Sequence, residues 1–188
     1  GHAQRCERPQ VCLFCVGEGR PCDLAWVCAG CVACAVHRQM LVDQCPHCNQ
    51  PLDWARPAMD VCHCGRYLAT GKFSRSIDGA LAALMGDFRS VLHDGPIARG
   101  RRWPSLPRWM DGLSPDGAIG VLHAVGARER RFATVKVRPG SGHSLIRDLA
   151  SALERGLDRI GQVDPADARS IDGLRGWAHE EALALGER

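Results

Sequence analysis

The chain has 188 residues, enough for one domain or two small ones, with 45% hydrophobic and 24% charged residues, which excludes wholesale disorder. Its formal charge is only +3, and thiolates that ligate metal would lower it further, so overall charge gives no argument for a polyanionic partner. All 11 cysteines lie between Cys6 and Cys64, so the chain divides into a cysteine-dependent first part and a second part that must fold on apolar side chains.

An odd cysteine count leaves one thiol unpaired, and no secretory leader pattern opens the chain, so a disulfide framework is not expected. The longest apolar run, Ala25 to Val36, is too short for a membrane span. Paired C-x-x-C spacings put two sulfurs on one tight turn, where both can aim at one cation. Intracellular zinc is the expectation.

Read in chain order, Cys12 and Cys15 form the first pair. Trp26 follows, expected as core beside the metal. Cys28, Cys31 and Cys34 come at steps of three, and His37 at one more. The segment Met40-Leu41-Val42 leads to Cys45-Pro46-His47-Cys48, where proline pre-sets a tight turn. Cys62-His63-Cys64-Gly65 closes the series, with glycine free to take positive φ after the last sulfur.

Several groupings satisfy this spacing. Cys12, Cys15, Cys28 and Cys31 make one C-x2-C-x12-C-x2-C set. Cys12, Cys15, Cys34 and His37 make another, beside Cys45, Cys48, Cys62 and Cys64. A cross-braced arrangement, as in RING domains, uses the same ligands interleaved. Either four-ligand set is complete, with no position left open for water, which points to structural rather than catalytic metal.

Beyond Lys72 the apolar period becomes helical. Ile77, Leu81, Leu84, Met85, Phe88, Val91 and Leu92 predict a helix capped by Ser76 and stopped at Gly95-Pro96. Residues 98–109, with two prolines and four arginines, read as a loop. Ser114-Pro115 starts a second helix that ends near Gly126. Phe132 to Val137 reads as a short strand or a helix approach. Ser144 to Ile160 is amphipathic through Leu145, Leu149, Leu153 and Leu157, and Asp164-Pro165 opens a last helix through Leu183. The expected fold is thus a small zinc-bound module of two tandem knuckle or ribbon sites, with few short strands and helices, over residues 1–70. A mainly α-helical domain over 71–188 follows it.

No sequence pattern for catalysis is present: there is no H-E-x-x-H and no Gly-rich phosphate loop. His179-Glu180-Glu181 reads as a solvated helix face. An enzyme is not expected, nor is a small-molecule substrate.

One resemblance selects among the groupings. Trp26, Cys34, His37 and Leu41, then Cys45-Pro46-x-Cys48-x-x-Pro51-Leu52 and Cys62-x-Cys64-Gly65-x-x-Leu68, preceded by Cys12 and Cys15, resemble the zinc region of the TniQ family, which includes the TnsD-type target selectors. Val16 and Gln39 depart from that pattern, and Cys28 and Cys31 are extra to it. The resemblance covers residues 12–68 and, through Trp109 to Gly126, extends to the first helices after the module.

The resemblance implies two zinc ions, one held by Cys12, Cys15, Cys34 and His37 and the other by Cys45, Cys48, Cys62 and Cys64. Cys28 and Cys31 are then buried small hydrophobes, and His47 and His63 lie outside the ligand sets. Two Zn²⁺ with seven thiolates would cancel the formal excess of +3. Also implied are helix-turn-helix-like units and a cytoplasmic protein that joins the nucleoid when bound to DNA; a region typically precedes the module in that family, so this chain is expected to be a fragment or a shortened member. As adaptors of transposition, such proteins connect a target-recognition protein or complex to an AAA+ ATPase. Residues 99–138 carry nine basic side chains against three acidic ones. Arg99, Arg101, Arg102, Arg130, Arg131 and Lys136 are the expected phosphate contacts. The alternatives are a zinc-finger interaction scaffold that leaves DNA alone, and the RING-like cross-braced module.

Overall fold

The computed structural model describes residues 8–28, 30–71, 75–77, 79–94, 103–127 and 145–162. The expected strand at 132–137, the expected last helix from 164, and all six expected phosphate contacts lie outside them.

The first part has little regular structure. Helix α1 (Leu13–Gly17) is five residues long and carries Cys15. A 3₁₀ turn at Leu24–Val27 follows, with Asp23 accepting from the Ala25 amide at its start. Strands β1 (Ala33–Cys34) and β2 (Gln39–Met40) pair antiparallel, Ala33 opposite Met40 and Cys34 opposite Gln39, around the turn that carries His37. Val11 and Val42 exchange backbone hydrogen bonds at 3.0 and 2.9 Å, which lays the approach to Cys12 beside the approach to Cys45. Trp26 is 4% exposed and belongs to the core, as do Met40 and Leu41.

Residues 75–77 do not open a helix. The Met40 amide donates to the Arg75 carbonyl and the Ile77 amide to the Arg38 carbonyl, so this stretch pairs with the hairpin edge. Helix α2 (Gly79–Asp94) therefore starts after Ser76, whose hydroxyl faces Arg38 instead of capping. Its apolar face, Leu81, Leu84, Met85 and Phe88, is buried in contact with the Leu24–Val27 turn and β1. Asp23 fixes that contact by accepting from Arg89 Nε and His93 Nε2, each at 2.7 Å.

The segment before α3 is a packed loop. Trp103 is fully buried against Phe88, its indole N–H donating to the Leu113 carbonyl at 3.1 Å. Asp87 of α2 accepts from both the amide and the hydroxyl of Ser105. Helix α3 (Pro115–Ala127) begins as its sequence predicts, with the Ser114 hydroxyl accepting from the Gly117 amide. Helix α4 (Leu145–Gly161) packs along α3 at close range. Gly126 and Gly156 allow this approach: a Cβ on either would fall 1.8 Å from the Ala152 carbonyl oxygen or 2.1 Å from that of Leu122. Arg155 and Arg159 of α4 donate to the Gly126 and Val125 carbonyls, which satisfies the last turn of α3.

One continuous apolar core runs from Val11 through to Ile160, so the cysteine-rich part and the helices share it. None of the described helices is long and apolar enough to cross a membrane.

Candidate metal centres

Among the described residues, two groups of four ligand atoms form in the first part: Cys12, Cys15, Cys34 and His37, and Cys45, Cys48, Cys62 and Cys64. Within each group the ligand atoms all lie within 4.8 Å of one another. The pairs combine in sequence order, first with second and third with fourth, whereas a cross-brace would interleave them. Cys28 and Cys31 are buried and take part in neither group.

The spacing of the sulfurs fits a metal better than a disulfide. Cys15 and Cys34 sulfurs are 3.7 Å apart, Cys48 and Cys62 are 3.7 Å apart, and Cys45 and Cys64 are 3.8 Å apart. Metal–sulfur bonds of about 2.3 Å in a tetrahedron set sulfurs roughly 3.8 Å apart, while a disulfide needs about 2.05 Å. His37 turns Nδ1 to the first group, 3.5 Å from Cys12, 3.2 Å from Cys15 and 3.7 Å from Cys34. These distances suit three thiolates and one imidazole around a common centre.

Backbone geometry explains how so short a module aims eight side chains inward. Arg38, Asn49 and Gly65 each directly follow the last ligand of a pair and each has positive φ, +51°, +56° and +78°. That left-handed step reverses the chain and lets amides point back at sulfur. The His37 amide donates to Cys34 at 3.5 Å and the His47 amide to Cys45 at 3.4 Å.

Charge makes the same case. A hydrogen bond from the Cys12 thiol, aided by the amides of His37 and Val36, brings the Cys34 thiol down to about 5. Burial pushes Cys15 up to about 11, with the Cys34 charge adding to it. In the second group the Arg66 amide brings Cys64 down to about 7, while burial pushes Cys62 up to about 12. In each group one thiolate forms readily, while burial makes a neighbour, Cys15 or Cys62, resist ionisation. A bound cation removes that resistance.

Outer contacts, invisible in the spacing, complete the first group. His37 Nε2 lies 3.1 Å from Glu18 Oε1, and the Phe14 ring stacks on the imidazole with centroids 5.6 Å apart. A carboxylate on the far ring nitrogen fixes tautomer and orientation. In the second group, the 53–61 loop is held by Arg56, 7% exposed, whose guanidinium donates to the carbonyls of Asp53, Ala58 and Met59. His47 and His63 stay outside both groups. The first reaches the Tyr67 carbonyl at 3.0 Å, the second the Asp53 carboxylate at 3.0 Å.

Fold and centres together define a cysteine-rich module with two four-ligand groups that could hold metal ions, sharing its core with a helical part. No family model, curated protein or solved structure matches this chain.

Proposed function

We propose that the chain is a zinc-stabilised, TniQ-like adaptor of DNA transposition, binding DNA and connecting a target-recognition protein or complex to an AAA+ ATPase. The observation that carries the reading is the gathering of the eight motif residues, Cys12, Cys15, Cys34, His37, Cys45, Cys48, Cys62 and Cys64, into two groups in sequence order. Zinc suits both groups because three or four thiolates in a tetrahedron favour a borderline-soft ion. Four protein ligands each leave no open position for water, so the role is structural. The metal makes a small module with only short helices and strands foldable. Arg99, Arg101, Arg102, Arg130, Arg131 and Lys136 are the proposed phosphate contacts.

Mobility shift of random duplex DNA by the full chain tests the DNA arm. Binding at about 50 mM salt that falls steeply by about 200 mM supports it, and no shift at the lower salt rejects it. Co-purification of the chain with an AAA+ transposition ATPase tests the adaptor arm.

One observation favours a second reading, an interaction scaffold without DNA contacts. Trp54 is 55% exposed and Met59 43% exposed on the loop that Arg56 orders, with the guanidinium turned inward. Large apolar side chains on a fixed loop are the usual anchors of protein interfaces.

A further inference from the structure

The two metal groups are joined by contacts that involve no ligand atom of either. The Tyr67 hydroxyl, three residues beyond Cys64, donates to the Val16 carbonyl at 2.7 Å, beside Cys15. The 3₁₀ turn Leu68–Thr70 lies against α1, where a Cβ on Gly17 would meet the Ala69 methyl at 3.4 Å. The same segment grips the second group. His47 reaches the Tyr67 carbonyl and, at 3.2 Å, the Thr70 hydroxyl, while Gly71 sits so near Pro46 that a Cβ would fall 2.1 Å from its ring. Residues 67–71 thus have one side on the Cys45–Cys48 turn and the other on the helix that presents Cys15.

We propose that the two metal groups are thermodynamically coupled through residues 67–71, with the Tyr67 hydroxyl as the principal link. Filling the Cys45/Cys48/Cys62/Cys64 group raises the metal affinity of the Cys12/Cys15/Cys34/His37 group, and the reverse holds by the same factor. The inference rests on the reading that both groups hold a divalent metal. Its physical basis is the length of α1. Five residues cannot hold a helix unaided, so the aim of Cys12 and Cys15 depends on what docks against that turn. Closing the Cys62–Gly65 turn on a metal fixes Tyr67, and Tyr67 in turn fixes α1.

The test is a cobalt(II) titration of the full chain after chelator stripping. The visible bands of cobalt held by three sulfurs and a nitrogen differ from those of cobalt held by four sulfurs, so each group is followed separately. Blocking the second group with Cys62→Ser and Cys64→Ser should lower cobalt affinity at the first by tenfold or more. Tyr67→Phe should lower it about fivefold when the second group is intact, the effect of one hydrogen bond, and less than twofold when it is blocked. An equal effect in both backgrounds, or none, overturns the coupling. If the blocked chain does not fold, the intact one decides. Both spectra rising together in the unaltered chain and separating in Tyr67→Phe support the proposal, and titrations of the two chains that superimpose overturn it. Uptake of fewer than two equivalents by the unaltered chain overturns the metal reading itself, and the coupling with it.

Discussion

Glu18 and His37 face each other across the edge of the first metal group: Glu18 Oε1 stands 3.1 Å from Nε2 of the imidazole, whose Nδ1 points at three sulfurs. The carboxylate also meets Arg20 Nε at 2.7 Å, which holds it in place. Glu18→Ala should weaken metal binding at the first group about 10- to 100-fold and leave the spectrum of the all-cysteine second group unchanged. Competition against a chromophoric chelator reads the affinity. An unchanged first-site affinity would mean the pair is incidental.

The thiols make metal binding proton-linked. Burial holds Cys15 at about 11 and Cys62 at about 12, both far above neutral pH, so each must lose its proton as metal enters. Binding in weak buffer should therefore release protons, and apparent affinity should fall as pH drops from about 8 to about 6. Calorimetry in two buffers of different ionisation enthalpy counts those protons. A pH-independent affinity would contradict the thiolate sites.

Asp23 joins the first part to α2 and sets a second pH dependence. Burial opposes its ionisation, but His93, the Ala25 amide and Arg89 outweigh that and hold the carboxyl below its ordinary 3.8. A carboxylate with a depressed folded pKa contributes stability that is complete above the unfolded value and is lost as pH falls through the folded one. Asp23→Asn should thus cost about 1 kcal/mol near neutral pH, and the deficit against the unaltered chain should shrink below about pH 4. Denaturant unfolding at several pH values, compared between the two chains, measures it.

The α3–α4 contact depends on missing side chains. Gly126→Ala and Gly156→Ala would each press a methyl onto a facing backbone carbonyl. Each should cost about 1–3 kcal/mol or more in chemical unfolding. The cobalt spectra of both groups should stay the same, since neither glycine touches them.

Spacing alone points to metal ligation by the cysteines but leaves the grouping open, because Cys28 and Cys31 continue the same three-residue step as Cys34. In the fold the Cys31 thiol faces the Ala33 carbonyl at 3.5 Å, and Gln10 donates to the Cys28 and Cys31 carbonyls, contacts that no spacing encodes. Ser114-Pro115 was a readable helix start because capping is local. The start of α2 was not, since pairing of residues 75–77 with the hairpin overrides the apolar period there. Gly65 announced its positive φ, while Arg38 and Asn49 adopt the same conformation behind ordinary side chains. Arg56 reads as a surface charge until three carbonyls are seen around it. Glu18 becomes a partner of His37 only when the hairpin turn brings the ring to α1.

Zinc content and zinc-edge X-ray absorption on the purified full chain test the central claim most directly. Two zinc ions per chain, with seven sulfur ligands and one nitrogen shared between them, is the predicted result, and His37→Cys should convert the signal to sulfur alone. One or three ions per chain, or a signal with more than one nitrogen, would contradict two tetrahedral sites grouped in sequence order.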